Sequence, residues 1–267
     1  MTRIKWSSTI LFLLFAASPL RAVELKQGTL SAWGDYIRSV DTASAERNNG
    51  SRPFLWMDES SEIQQRVRVG EIVVTNLYPP KVPQGMIHHW AGDLFVPGVS
   101  IDQVMRVMNS YDRYTDVYKP LIRKSAVAER DGDTVILNVL AAQKAFSVTA
   151  AVESDEVIQI ARPAVDRVSI MADAVRIQEI CDYGRPDEHV FPEAQRPGYV
   201  WRAQIVQRLE ERDGGVYVEL ETISLSRAIP VEVRWLIKRM TDDLPRQMMT
   251  NLLDETRSAA RRSAAGQ

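Results

Sequence analysis

The sequence predicts an α+β protein in which a run of antiparallel strands precedes one long C-terminal helix. The clearest strand lies in residues 199 to 209, where apolar and polar residues alternate with the period of a half-buried strand. Asp213-Gly214-Gly215 then supplies a turn, and residues 216 to 221 resume the alternation, which predicts a β-hairpin. An apolar stripe at helical spacing runs from about residue 230 to 262 and predicts the final helix.

A separate helix is predicted at the N-terminus. Leu30, Trp33, Ile37 and Val40 recur at spacings of three and four, which is typical of an amphipathic helix over residues 29 to 47. The polar, turn-prone residues that follow indicate a linker. Residues 23 to 50 are therefore expected to form an added helix and linker that pack on the main body.

Strands and two short helices fill the middle of the chain. The helices are predicted from Ser100, a good N-cap, and over residues 111 to 120. Strands are predicted over residues 66 to 76, 86 to 96, 121 to 130, 134 to 151 and 164 to 181, with a turn around 153 to 155 and a loop over 182 to 197.

Two irregularities are also predicted. In the second strand of the predicted hairpin, apolar residues occupy even-numbered positions up to Leu220 and an odd-numbered position at Ile223. This change in the alternation indicates a β-bulge near Glu221 and Thr222. Pro245 lies inside the last helix, where a proline removes a hydrogen bond, so a bend or a break is expected there.

The first 22 residues have the pattern of a cleavable signal peptide. Arg3 and Lys5 precede an apolar run from Thr9 to Ala17, and Ala22, with Leu20 two positions earlier, fits a cleavage site. The run is shorter than the roughly 20 residues that span a bilayer, which disfavours the alternative of a retained anchor. The sequence thus predicts an exported protein, periplasmic or secreted, with no stable membrane span after cleavage.

The charge and the cysteine content limit the kinds of partner that this protein is expected to have. Removing the signal peptide leaves 245 residues and takes away three basic residues, so the net charge falls from −2 to −5. Acidic and basic residues are interspersed, which argues against a nucleic-acid partner. Cys181 is the single cysteine and is interpreted as a packed thiol, against the alternative of an intermolecular or reactive thiol.

The search for catalytic or metal-binding motifs finds little. His88 and His89 are adjacent and point to opposite faces of a strand, so they cannot both bind one metal, and neither a metal nor a cofactor is expected. No nucleophile elbow or phosphate-binding glycine loop is present. His89, Asp112, Arg113 and Arg227 are candidate acid or base groups, against the alternative of strand-end or solvent contacts.

The order of elements and several short segments resemble the START-like (SRPBCC, helix-grip) superfamily, in particular its exported bacterial members. The likeness covers about residues 65 to 262. The segments that carry it are Tyr111-Asp112-Arg113-Tyr114, Val117-Tyr118-Lys119-Pro120, residues 201 to 219, Ser224-Leu225-Ser226-Arg227-Ala228-Ile229-Pro230, Trp235-Leu236-Ile237 and Leu244-Pro245-Arg246.

The resemblance implies a curved antiparallel sheet wrapped around the C-terminal helix, with a cavity that commonly holds a lipid, sterol, polyketide or quinone-like ligand. A solid core remains the alternative. Candidate lining residues are Trp201, Ala203, Ile205, Val218, Leu220, Leu236, Met240, Leu244, Met248, Tyr114 and His89.

The expected function is therefore binding or transfer of a hydrophobic, lipid-like small molecule in the cell envelope. Fold analogy predicts a pocket but no reaction. Two alternatives stay open: an enzyme of the aromatase or cyclase type, and a structural protein whose N-terminal helix binds a partner.

Overall fold

The computed structural model describes residues 25–145, 148–192, 195–228 and 231–266, and it describes the side chains of these residues except 145, 148 and 231–242. The predicted signal peptide lies outside the described residues. No helix in the described ranges is long and apolar enough to cross a membrane.

Five α-helices and nine strands occur in the described part of the chain. The helices are α1 (Gln27–Asn48), α2 (Ser61–Arg68), α3 (Ile101–Met108), α4 (Tyr114–Val117) and α5 (Val231–Ala264). The strands are β1 (Val73–Asn76), β2 (Gly85–Pro97), β3 (Ile122–Asp131), β4 (Thr134–Ala145), β5 (Val148–Ala164), β6 (Arg167–Cys181), β7 (His189–Val190), β8 (Arg202–Arg212) and β9 (Gly215–Arg227). Short 3-10 turns occupy Trp56–Glu59 and Tyr111–Arg113.

The strands form one antiparallel sheet in the order β1-β2-β9-β8-β6-β5-β4-β3, with β7 paired to β6. The predicted hairpin is confirmed as β8 and β9. Its two turn residues, Asp213 and Gly214, have φ values of 55° and 77°, the left-handed conformation that two-residue hairpin turns require. Strands, two short helices and a long last helix in this order form the helix-grip fold, as the resemblance implies.

One face of the sheet, called here the inner face, packs against α5 and α3. Helix α5 lies over β1, β2 and β9, and the largest apolar cluster of the described residues forms there. Gly92 on β2 allows this contact, because a Cβ at its position would come within 2.8 Å of Leu253 Cδ1. The inner face therefore holds the main core.

The opposite face, called here the outer face, is covered by α1. Val40 of α1 belongs to a buried cluster with Ile87, Val206, Ile223 and Leu225 of the sheet. The predicted N-terminal helix is thus present and packs on the side of the sheet opposite α5.

The bulge predicted near Glu221 and Thr222 is wrong. Strand β9 pairs with both β2 and β8 without a register shift through these residues. The apolar phase changes for another reason: Leu220 faces α5, whereas Ile223 faces α1, so both faces of β9 are buried at different points along the strand.

Three other local predictions are corrected. Residues 66 to 68 end helix α2, which Ser60 caps, and strand β1 begins only at Val73. Residues 153 to 155 lie within β5, because β4 already ends at Ala145. Helix α5 continues through Pro245, so the break is absent and the alternative of a bend there stays a prediction.

Candidate functional site

Some apolar side chains of the inner face are only partly buried. Tyr114, Ile122, Val127, Ile160 and Ile205 lie against the main core cluster but keep part of their surface accessible. Their strand neighbours Val168 and Leu209 are completely buried. Partly accessible apolar side chains inside the curve of a sheet are expected where helix and sheet leave room between them.

A cleft of about 140 Å³ opens between α5, the segment after α4, and β4. Its wall is mainly apolar, while polar side chains of Gln143, Gln247, Asn251 and Glu255 add hydrogen-bonding groups. The other lining residues are Tyr118, Lys119, Pro120, Leu121, Leu244, Met248 and Leu252. An apolar wall with a few polar groups is the usual composition of a small-molecule site.

Two tyrosines connect the short helix α4 to the interior. Tyr114 Oη donates to the Met108 carbonyl at 2.5 Å, and Tyr118 Oη lies 3.2 Å from Thr256 Oγ1 of α5. Their rings meet edge to face with centroids 5.0 Å apart. Burial raises the pKa of both phenols, so they act as neutral hydrogen-bonding groups.

Most of the predicted lining residues do lie on the inner side. Ala203 and Ile205 are half-buried, whereas Val218 and Leu220 are packed into the core. Leu244 and Met248 line the cleft. Leu236 and Met240 are on α5, but their side chains are outside the described residues. Whether these residues contact a ligand stays a prediction.

His89 and Trp201 are placed differently from the prediction. His89 lies opposite Ile223 in the β2–β9 register and points to the outer face, where its ring contacts Tyr36 of α1. Trp201 precedes β8 and packs into the cluster under α1. The inward residue of β2 is the neighbouring Trp90, since successive side chains of a strand alternate between faces.

The other candidate acid or base groups do not converge. Asp112 and Arg113 are exposed on a 3-10 turn, and Arg227 ends β9. The described residues contain no group of three or more His, Cys, Asp and Glu that could hold a metal ion. Cys181 donates to the Asp182 carboxylate at 3.1 Å, and burial raises the pKa of its thiol.

A buried network of charged residues on the outer face was missed from the sequence. Arg208, only 1% exposed, donates to Glu219 at 2.5 Å, to Glu221 at 2.9 Å and to Ser44 of α1 at 3.1 Å. The alternation of charged and apolar residues along β8 and β9 predicts only half-buried strands. Arg208 and Glu219 lie directly opposite each other in the hairpin. This pairing of opposite charges is the signal in the sequence that indicates the ion pair.

His89 extends this network to α1. Its Nε2 lies 2.7 Å from Glu221 Oε1, and its Nδ1 lies 2.7 Å from Tyr36 Oη. Because a carboxylate only accepts, Nε2 is the donor to Glu221. Beside this network, α1 and the sheet enclose a pocket of about 190 Å³ whose walls include Trp56, Arg47 and Glu59.

The carboxyl groups of the network have opposite pKa shifts. Burial opposes ionisation of Glu221, but the hydrogen bond from His89 and the charge of Arg208 lower its pKa to about 2. Burial raises the pKa of Asp93 well above its usual value, and the charge of Glu219 opposite it acts in the same direction. The surroundings of Asp93 therefore oppose its ionisation, whereas those of Glu221 favour it.

Comparisons with known proteins give similarity in structure only. No family model matches the chain, and no curated protein matches its sequence. A STAR-related lipid transfer protein from Xanthomonas axonopodis is 15% identical, with a TM-score of 0.46, over 70% of this chain and 98% of that one. The Zhui aromatase/cyclase from a Streptomyces species is 12% identical, with a TM-score of 0.45, over 66% and 95%. A START superfamily protein from Mycobacterium smegmatis is 8% identical, with a TM-score of 0.38, over 67% and 99%. Similarity at this level does not identify a ligand or a reaction.

Proposed function

We propose that this protein binds a hydrophobic, lipid-like small molecule between the inner face of the sheet and helix α5. The observation that carries the proposal is the incomplete packing of the inner face, where Ile160, Ile205 and Tyr114 keep accessible surface beside a fully buried core. A solid core would bury these side chains as completely as Leu209.

The cleft at Tyr118 and Met248 is the proposed mouth of the binding site. Its volume of about 140 Å³ admits one narrow chain or ring, and its polar residues can contact the part of a ligand that remains in water. Met248 and Leu244 supply flexible apolar contacts, and methionine adapts well to irregular shapes.

We place this activity in the cell envelope. The basis is the signal-peptide pattern of residues 1 to 22, which predicts export. Poorly soluble molecules need a protein carrier to cross an aqueous compartment, because their apolar surface is costly to expose to water. A carrier or a store for such a molecule suits an exported domain that shields an apolar interior.

Binding can be tested with cis-parinaric acid, a narrow fluorescent polyene. We expect saturable fluorescence enhancement with the wild-type chain and at least about a tenfold weaker affinity with Met248→Trp, because the larger ring fills the cleft. Arg261→Trp, which adds the same ring to an exposed site on α5, is the matched control and should bind as the wild type does.

Native mass spectrometry of the protein purified from its own host adds an independent test. We expect a bound mass of lipid size that is reduced in Met248→Trp. Absence of any bound mass together with absence of probe binding would overturn the proposal.

A further inference from the structure

Glu156 is a carboxyl group on the apolar inner wall of the sheet. It lies on β5 opposite Leu137 of β4 and Ala174 of β6, and its neighbour on the same face is Ile158 of the main core. Leu137 and Ile158 are buried apolar residues. A charged side chain is unusual in such surroundings unless it has a partner.

The carboxyl group of Glu156 is largely buried but not completely. Burial raises the pKa of Glu156, while a hydrogen bond from Ser154 Oγ to its Oε1, 3.0 Å long, acts the other way. The side chain nevertheless keeps accessible surface. A carboxyl group that is largely buried and still partly accessible is within reach of a small molecule that enters the inner face.

The other acids of this strand are paired and face the other way. Glu153 contacts Lys124 at 3.1 Å, and the Asp155 carboxylate accepts two hydrogen bonds from Arg176, at 2.5 and 2.9 Å. Among the described residues, Glu156 forms no such ion pair, and Ser154 is the single group that donates to it. One hydroxyl leaves most of the acceptor capacity of a carboxyl group unused.

We propose that Glu156 recognises the polar end of the bound molecule, and that this end is a hydrogen-bond donor such as a hydroxyl or an amine. The inference rests on the proposed function and specifies the class of ligand. The donor satisfies the free acceptor positions of Glu156, while the apolar body of the ligand lies against Ile158 and Ile160.

The proposal also constrains ligand shape. Gln143 at the cleft and Leu137 opposite Glu156 are both on β4, separated by about 20 Å of strand. A molecule that extends from the cleft to Glu156 is therefore elongated, and one end carries the donor group.

A ligand with a carboxylate at that end is selected against. Two carboxyl groups buried side by side cannot both ionise, so a fatty acid would bind only with an additional proton shared with Glu156. An alcohol of the same chain binds without that requirement. Glu156 thus favours long-chain alcohols or amines over the matching acids.

The test compares cis-parinaric acid with the alcohol made by reducing its carboxyl group, at neutral pH. We expect the wild type to bind the alcohol about tenfold or more tightly than the acid, as one hydrogen bond to a charged group allows. Glu156→Gln should remove the preference, because the amide does not repel a carboxylate. Glu156→Leu should weaken alcohol binding while acid binding holds or improves.

Glu153→Gln is the matched control, since it neutralises an acid on the opposite face of the same strand, and it should keep the wild-type preference. Thermal unfolding of each variant checks that it is folded, and Glu156→Gln, which keeps shape and hydrogen bonding, is the reference if Glu156→Leu is unstable. If both probes bind but Glu156→Gln keeps the wild-type preference for the alcohol, the role proposed for Glu156 is wrong. If neither probe binds the wild type, the proposed function itself fails.

Discussion

The two faces of the sheet are built from alternate residues of the same strands, yet they are stabilised in different ways. On β9, Val218 and Leu220 face α5 and join the main apolar core. Glu219 and Glu221, between and beside them in sequence, face α1 and form ion pairs with Arg208. The inner face is mainly apolar, whereas the outer face combines an apolar cluster under α1 with a buried network of charged, hydrogen-bonded groups.

The two covering helices reflect this difference. Helix α5 contributes Met249 and Leu253, both almost completely buried, to the inner core. Helix α1 contacts the outer face through polar groups as well, with Tyr36 bound to His89, Ser44 to Arg208 and Asp41 to Gln204. Hydrogen bonds fix one geometry, while apolar contacts tolerate rearrangement, so the inner face is the one suited to a variable ligand.

The largest effect is expected from removing the central cation of the outer face. Arg208→Met leaves Glu219 and Glu221 buried without their partner and should lower the free energy of unfolding by about 4 kcal/mol. Urea denaturation followed by circular dichroism measures the change.

A second variant separates charge from packing. Adding Glu219→Leu to Arg208→Met removes one of the two carboxylates that lost the arginine, and we expect it to recover part of the lost stability. A double variant that is less stable than Arg208→Met would mean that the carboxylate contributes through contacts other than the ion pair, such as that with the Trp56 amide.

A smaller effect is expected from the acid side of the same network. The pKa of Glu221 is about 2 in the folded protein, below its ordinary value of 4.5, so its ionised form stabilises the fold above pH 4.5 and this contribution is lost as the pH falls through 2. We expect Glu221→Gln to be less stable than the wild type by on the order of 2 kcal/mol at neutral pH.

The diagnostic feature is the pH at which this difference disappears. The stabilities of the wild type and Glu221→Gln should converge between pH 4.5 and pH 2, as both then carry a neutral group at this position. A difference that stays constant over that range would show that Glu221 acts through its shape and not through its charge.

Local patterns in the sequence predicted most of the elements. The β8–β9 hairpin follows from alternation and a two-residue turn. Helix α3 follows from Ser100, whose backbone N–H donates a hydrogen bond to Gln103 Oε1 at 2.7 Å. These signals act over a few residues and need no knowledge of the tertiary structure. The inner position of Ile205 follows from the same alternation.

The failures come from contacts between distant parts of the chain. The change of phase on β9 could not be interpreted correctly without α1, which contacts β8 from more than 160 positions away, as in the Asp41–Gln204 pair. His89 was assigned to the wrong face because a strand offers two faces and a shift of one residue exchanges them. Glu156 was missed because its polar neighbours resembled a turn. Export and the domain boundaries stay predictions.

The smallest expected effect has the opposite sign and concerns Asp93. Because burial and Glu219 raise the pKa of Asp93 well above 3.8, the folded chain holds a proton there that the unfolded chain releases, and stability falls as the pH rises above 3.8 toward the folded pKa. Asp93→Asn removes the need to bind a proton on folding, and the asparagine amide can donate a hydrogen bond to Glu219. We expect a gain of about 1 kcal/mol at neutral pH that vanishes below pH 3.8.

Asp155→Asn is the informative control for that gain. Hydrogen bonds from Arg176 lower the pKa of Asp155, so its ionised form stabilises the fold above pH 3.8 and the substitution should be destabilising there. Two Asp→Asn changes in one sheet are thus expected to shift the unfolding midpoint in opposite directions at pH 7. A loss of stability in Asp93→Asn would mean that the buried carboxyl is ionised, and the outer face would then contain an additional unbalanced charge beside Glu219 and Asp58.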